Sequence, residues 1–304
     1  MPLTVHRGGA FRPPRTILYG APKVGKSTFG SEAEYPVFVT TEDGVAGIAV
    51  DQTSPAKTWE EFMSNVKAVA VEKHAYKTLV IDTLNGAAQL AAQHVCRKLF
   101  RDDWGPKGFA SFGQGWSATS EEMRALIDPL DACRERGMWV LMLAHTGLLA
   151  VKNPLEGDFT KYAPDVDRKI WARFHGWADV ILRADYEYAV INSDGGKGKA
   201  RGSNTRVLRC TGSAAEDAGT RVGYTLPETL PLSWHAFVEA LGQVSPVVDG
   251  IRQRWSLLSD TEQAAALKWL GIAATADLSK APSQKLSSCL NSLKTKENAA
   301  AAAD

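Results

Sequence analysis

Apolar residues come in two rhythms along this chain. Short runs rich in β-branched and aliphatic residues, Thr16–Tyr19, Val37–Thr41, Thr78–Asp82, Trp139–Ala144 and Asp179–Ala184, predict core strands. Between them, helical spacing predicts helices over Lys26–Glu34, Thr58–Glu72, Asn85–Phe100, Ser120–Arg136 and Asp165–Gly176. This alternation predicts an α/β fold, a mainly parallel sheet with helices wound on both sides. Two segments interrupt the order, Arg101–Thr119 and Thr146–Pro164. Both exceed ordinary connections, and loops of that length tend to be functional or mobile. Residues 185–232 look β-rich. There Tyr186–Ile191 and Arg206–Cys210 flank the Gly/Lys stretch Ser193–Asn204, predicting a hairpin with a long tip.

The pattern changes near Ser245-Pro246, where Ser245 can cap a helix beginning at Pro246. Ser259-x-x-Glu262 forms a capping box for a helix over Asp260–Leu270, and Gly271 can end it. Pro282–Leu293 supplies a third helical pattern. The expected organisation is an N-terminal arm (1–15), an α/β core (16–243), a small helical unit (245–295) and a frayed alanine-rich tail (296–304).

The 304 residues are 44% hydrophobic, enough for a sizeable core. A formal charge of +1 argues against a generally basic chain, so any nucleic-acid contact must come from local patches. Cys96, Cys133, Cys210 and Cys289 are far apart and show no metal-binding spacing. They are expected to be reduced thiols in a cytoplasmic protein. The N-terminal arm has no apolar stretch of the secretory kind, and no run approaches the length of a membrane span.

Residues 20–28 read Gly20-Ala21-Pro22-Lys23-Val24-Gly25-Lys26-Ser27-Thr28, a complete Walker A sequence that implies a nucleoside triphosphate with magnesium. The glycines let backbone N–H groups close around phosphate. Lys26 is expected to reach the β/γ-phosphates and the Ser27 hydroxyl to ligate Mg2+. Thr78-Leu-Val-Ile-Asp82 has the Walker B pattern, with Asp82 expected to hold Mg2+ through water. Glu42 follows the strand ending Val-Thr-Thr41, where a carboxylate can deprotonate the attacking water; Asp43 is the reserve candidate. His145, just beyond Trp139–Ala144, is placed to sense the γ-phosphate or simply to close a strand end.

The ordered set GAPKVGKST, VFVTTEDG, TLVIDT and VLMLAHT, followed by DVDRKIWARFHGWADVILRADYE, resembles the RecA superfamily. It is most similar to phage-encoded RecA-like nucleotide-binding proteins, the group that includes single-strand annealing ATPases. The likeness runs from about Pro14 to Leu241. RecA itself carries an amide-type sensor where this chain has His145. That departure favours the shorter phage proteins or replicative-helicase relatives over a strand-exchange recombinase. The resemblance implies an ATP-binding oligomer, ring or filament, acting on single-stranded DNA in the cytoplasm of a bacterial host. The alternatives are a hexameric helicase motor, or an ATP-gated loader whose helical unit recruits a single-strand-binding protein.

In such proteins the loops after the Walker B helix and after the sensor strand contact DNA. Here these are Arg101–Thr119 and Thr146–Pro164. The first carries Trp104, Lys107, Phe109, Phe112 and Trp116 among glycines, a pattern that suits base stacking or a packed lid. The second carries Lys152 and Lys161. Lys197, Lys199 and Arg201 are further DNA candidates. Arg206 and Arg221 are candidates for a finger reaching a neighbouring protomer's ATP, or for ordinary solvated cations.

Overall fold

A computed structural model describes residues 11–45, 47–192, 198–243 and 245–301. In chain order, the core begins with β1 (Arg15–Gly20), α1 (Lys26–Ser31), β2 (Pro36–Thr40), β3 (Asp51–Gln52), α2 (Trp59–Val71), β4 (Thr78–Asp82) and α3 (Leu84–Phe100). It continues with α4 (Gln114–Arg124), α5 (Ile127–Glu135), β5 (Trp139–Val151), β6 (Phe159–Pro164), α6 (Arg168–Trp177), β7 (Val180–Asn192) and β8 (Gly198–Arg209). After β9 (Gly219–Thr220) and β10 (Thr229–Pro231) the chain is helical: α7 (Trp234–Ala240), α8 (Pro246–Arg254), α9 (Asp260–Leu270) and α10 (Ser283–Ala301).

The main sheet runs β10-β8-β7-β1-β5-β4-β2-β3. From β7 to β3 every neighbouring pair along it is parallel, while β8 and β10 are antiparallel additions. The fold is therefore the expected α/β class, a mostly parallel sheet flanked by helices. Successive residues of β1 show why its strands read as unbroken apolar runs. Ile17 and Tyr19 face a cluster built with α2, α3, α5 and α6, whereas Leu18 faces one built with Phe29 of α1 and Trp234 and Phe237 of α7. Both faces are buried, so both parities must be apolar.

In the core, four expectations change. β8 begins at Gly198, so residues 198–204, expected in the hairpin tip, are strand. The segment 146–164 is not a loop: β5 runs on from the sheet and turns back as β6, pairing Thr146 with Pro164 through Val151 with Phe159. The segment 101–119 is partly helical, because α4 begins at Gln114. Finally, the helix expected over 120–136 is two helices, broken at Ala125-Leu126 where the buried Leu126 side chain enters the core.

The C-terminal helices gather a cluster of their own, including Val248, Ile251, Leu270, Leu278, Leu286 and Leu293. The capping box at Ser259 and Glu262 forms as the sequence indicates. Ser245 does precede α8, but its hydroxyl lies 2.7 Å from His235 Nδ1 of α7 instead of capping its own helix. The helix α10 continues through residues 296–301, where fraying was expected, with Glu297 held 2.7 Å from Arg254.

Candidate nucleotide site and its surroundings

The turn between β1 and α1 is shaped by two glycines. A β-carbon at Gly20 would lie 2.6 Å from the Ala184 carbonyl oxygen on β7, so no side chain fits there. Gly25 has φ of +112°, a conformation that other residues adopt only under strain. Ala21, Pro22 and Lys23 stand exposed on the turn, and Val24 is buried against the sheet. Thr28, one residue past the hydroxyl of Ser27, is exposed on the first turn of α1.

Lys26 is buried, and its ammonium donates to the Gly20 and Ala21 carbonyl oxygens, both at 3.0 Å. Burial lowers its pKa, opposed by the charges of Asp82 and Glu42. Ser27 Oγ donates to Asp82 Oδ2 at 2.8 Å, which joins the two halves of the Walker pair. Burial raises the Asp82 pKa, and the Ser27 hydrogen bond works the other way. A hydroxyl and a buried carboxylate side by side form a hard-oxygen pair suited to Mg2+, which typically takes few protein ligands beside substrate phosphates. No cluster of three or more His, Cys, Asp or Glu suited to a metal exists among the described residues.

Glu42 lies in the turn after β2. Its Oε1 accepts from Thr83 Oγ1 at 2.9 Å, and its Oε2 lies 3.5 Å from His145 Nε2. His145 Nδ1 is buried without a hydrogen-bond partner among the described residues. Strand order explains the meeting: β4 lies between β2 and β5, so the C-terminal ends of β2 and β4 meet the middle of β5 at His145.

Sequence reasoning missed three polar residues that organise this end. Thr83 caps α3 by accepting from the Gly86 N–H, while the Thr41 hydroxyl accepts from the Thr83 N–H at 3.0 Å. Asn85 accepts from the His145 N–H at 2.8 Å and donates to the Asp165 carbonyl at 2.5 Å. The one available signal was the polar turn Asp82-Thr83-Leu84-Asn85 closing an otherwise apolar strand. A cavity of about 740 Å3 opens here, lined by Glu42, Asn85, Trp116, His145 and Asp165.

The aromatic segment divides. Phe109 is 2% exposed and packs with Val95, Cys96 and Phe100, and Trp116 is half-buried with its ring edge-on to Phe109 at 5.3 Å. Phe109 is therefore a core side chain, while Trp116 stands between that core and the cavity. Phe112 is 98% exposed with φ of +46°, and Trp104 is 47% exposed, resting on Phe109 at 4.7 Å. Lys107 is exposed beside them. Lys169 of α6 donates to the Gly113 carbonyl at 3.1 Å and to Ser117, tying the Phe112 turn to α6.

The cations also sort themselves. Lys161 pairs with Asp217 at 2.6 Å and is largely covered. Lys152 is exposed near the hairpin tip and pairs with Asp158 at 2.5 Å. Lys197 and the side chains of Lys199 and Arg201 fall outside the described residues. Arg206 lies beside the Walker turn of its own chain. Its Nη1 lies 3.1 Å from where a Gly25 β-carbon would stand, against its own phosphate turn. Arg221 is engaged at the opposite end of the strands, where β7 and β1 begin, bonded to the Gly176 carbonyl and 3.5 Å from Asp179, which Arg15 and Arg134 also hold.

A protein-family model described as an AAA domain, AAA_24, matches residues 12–222. The SPbeta prophage-derived uncharacterized protein YorG of Bacillus subtilis (strain 168) is 24% identical over 171 residues, covering 54% of this chain and 48% of the relative. The chain thus spans about half the length of that curated relative.

Proposed function

The chain belongs to the AAA domain family of P-loop ATPase-like proteins, and on that premise we propose that it is an ATP-binding, single-stranded-DNA-binding recombination protein that anneals strands as an oligomer. The prophage origin of the 24% identical relative supports a phage source and a bacterial host cytoplasm as the place of action. No described helix is long and apolar enough to cross a membrane.

In this reading Lys26 binds the β/γ-phosphates and Glu42 takes the proton of the attacking water. Thr83 and His145 hold the Glu42 carboxylate in place from its two oxygens. Ser27 and Asp82 would hold magnesium, which would supply neutralisation of charge on the phosphates. Arrival of a γ-phosphate beside His145 is then felt by the DNA-facing surface.

One observation carries the coupling. Glu42, His145, Asn85 and Asp165 form a continuous polar chain from the phosphate end to the start of α6. From α6, Lys169 reaches the turn bearing Phe112. Phe112 and Trp104 offer rings for bases, and Lys107 offers charge for phosphate.

The test is binding of a labelled single-stranded oligonucleotide, followed by anisotropy, with and without a non-hydrolysable ATP analogue. The expected result is tighter binding with the analogue, lost in Lys26→Ala, together with accelerated annealing of complementary strands. No binding, or binding indifferent to the analogue, overturns the reading.

A further inference from the structure

A second cavity, of about 540 Å3, adjoins the phosphate turn on the side away from Asp82. Its walls include Gly25 and Thr28 from the turn and α1, Arg206 from β8, Leu232 after β10, and Pro282 and Gln284 at the start of α10. The volume is within the ~300–1,000 Å3 typical of small-molecule sites.

Sheet order fixes the direction in which a nucleotide must lie. Along β8-β7-β1-β5-β4, the strands β8 and β4 stand on opposite sides of β1. Ser27, Asp82 and Glu42 lie toward β4 and β2, where they would hold the γ-phosphate end. A triphosphate running back past Ser27 and Thr28 therefore delivers its nucleoside toward β8, where this cavity opens. The apolar surfaces of Leu232 and Pro282 suit the faces of a base. Arg206, 3.1 Å from the Gly25 β-carbon position, suits the α- or β-phosphate.

We infer that this cavity is the nucleoside pocket, that Arg206 acts on the nucleotide of its own chain, and that the C-terminal helical unit forms one wall of the pocket. The inference rests on the phosphate turn binding ATP. It adds that the helical unit touches the nucleotide, which the sequence alone did not indicate. The segment is anchored for that role, since Ser233 Oγ donates to the Ser279 carbonyl at 3.3 Å just before the wall.

The deciding experiment is photolabelling of the full chain with 8-azido-ATP and magnesium, with peptides mapped by mass spectrometry. Label competed by ATP is expected on residues 205–206, 231–233 or 280–284. ATP-competed label confined to the Asn85–Gln89 side overturns the pocket while leaving ATP binding intact. Absence of any saturable labelling, matching Lys26→Ala, overturns the ATP-binding reading and the pocket with it. As a second measurement, Arg206→Ala should weaken ATP and ADP roughly tenfold or more, the usual loss for a hydrogen bond to a charged group. Mixing Arg206→Ala with Lys26→Ala chains should restore nothing, and recovery of tight sites would show that Arg206 serves a neighbour instead.

Discussion

Glu42 and Asp82 are both carboxylates at strand ends, yet their surroundings fit them for different work. Asp82 is 7% exposed, bonded to Ser27, and raised in pKa chiefly by burial. Glu42 is open to the large cavity and steadied by one hydroxyl and one imidazole. Glu42→Gln should therefore keep ATP binding while turnover falls by ~10²-fold or more, the scale of a lost general base. Full-rate hydrolysis by that variant would pass the role to Asp43 or to no side chain. The aromatic residues allow an equally sharp contrast. Phe112→Ala should leave the unfolding midpoint unchanged but weaken single-strand binding by roughly 5- to 150-fold, as expected for one lost stack. Phe109→Ala should do the reverse and cost about 3–5 kcal/mol of stability, because it empties a packed core position. Equal effects of the two substitutions in both assays would refute the division.

The elements legible in the sequence were those whose burial is complete. Thr78–Asp82 was readable to its ends because every residue of β4 is buried, leaving an unbroken apolar signal. The β5–β6 hairpin was not, since the extension of β5 beyond Ala144 is only partly buried and Gly147, Pro154 and Gly157 signal turns. The start of α4 hid behind Gly105, Gly108, Gly113 and Gly115, which argue for loop by propensity. Tertiary packing of Phe109 and Trp116 outweighs that preference. At the nucleotide end, the Walker residues were legible because phosphate chemistry fixes their spacing. Thr41, Thr83 and Asn85 were not, because their partners lie on other strands. The α7–α8 junction has a consequence in pH. His235 is 3% exposed, and burial lowers its pKa to about 4. Its folded pKa lies below the unfolded value, so the unfolded chain binds more protons between them and stability falls as pH drops from about 6.5 towards 4. The single group accounts for about 3 kcal/mol over that window. Denaturation curves at pH 7.5 and 5 should show about 2 kcal/mol of that loss in the wild type and a smaller one in His235→Asn; identical losses would assign the effect elsewhere.

At the scale of the whole molecule, the inferred nucleoside pocket joins the Walker turn to the C-terminal unit. Occupancy should therefore be visible far from the Walker turn. ATP that binds only the native state at a hundred times its Kd adds about 2.7 kcal/mol against unfolding. Local protection should concentrate where the ligand touches. Tryptic cleavage after Lys280, which is exposed on the wall of the smaller cavity, should slow with ATP in the wild type and not in Lys26→Ala. Unchanged cleavage with ATP bound would detach the helical unit from the nucleotide.

The unbroken course of β5 has a mechanical meaning. Its first half lies clamped between β1 and β4, and its second half pairs with β6 alone. From His145 to Val151 is about 20 Å of continuous strand at ~3.3 Å per residue, so a tilt of about 5° at His145 carries the far end by roughly 2 Å. A rotation of β5 at His145 would therefore swing the hairpin as a lever, and the exposed Leu155 and Lys152 near its tip would be displaced farthest.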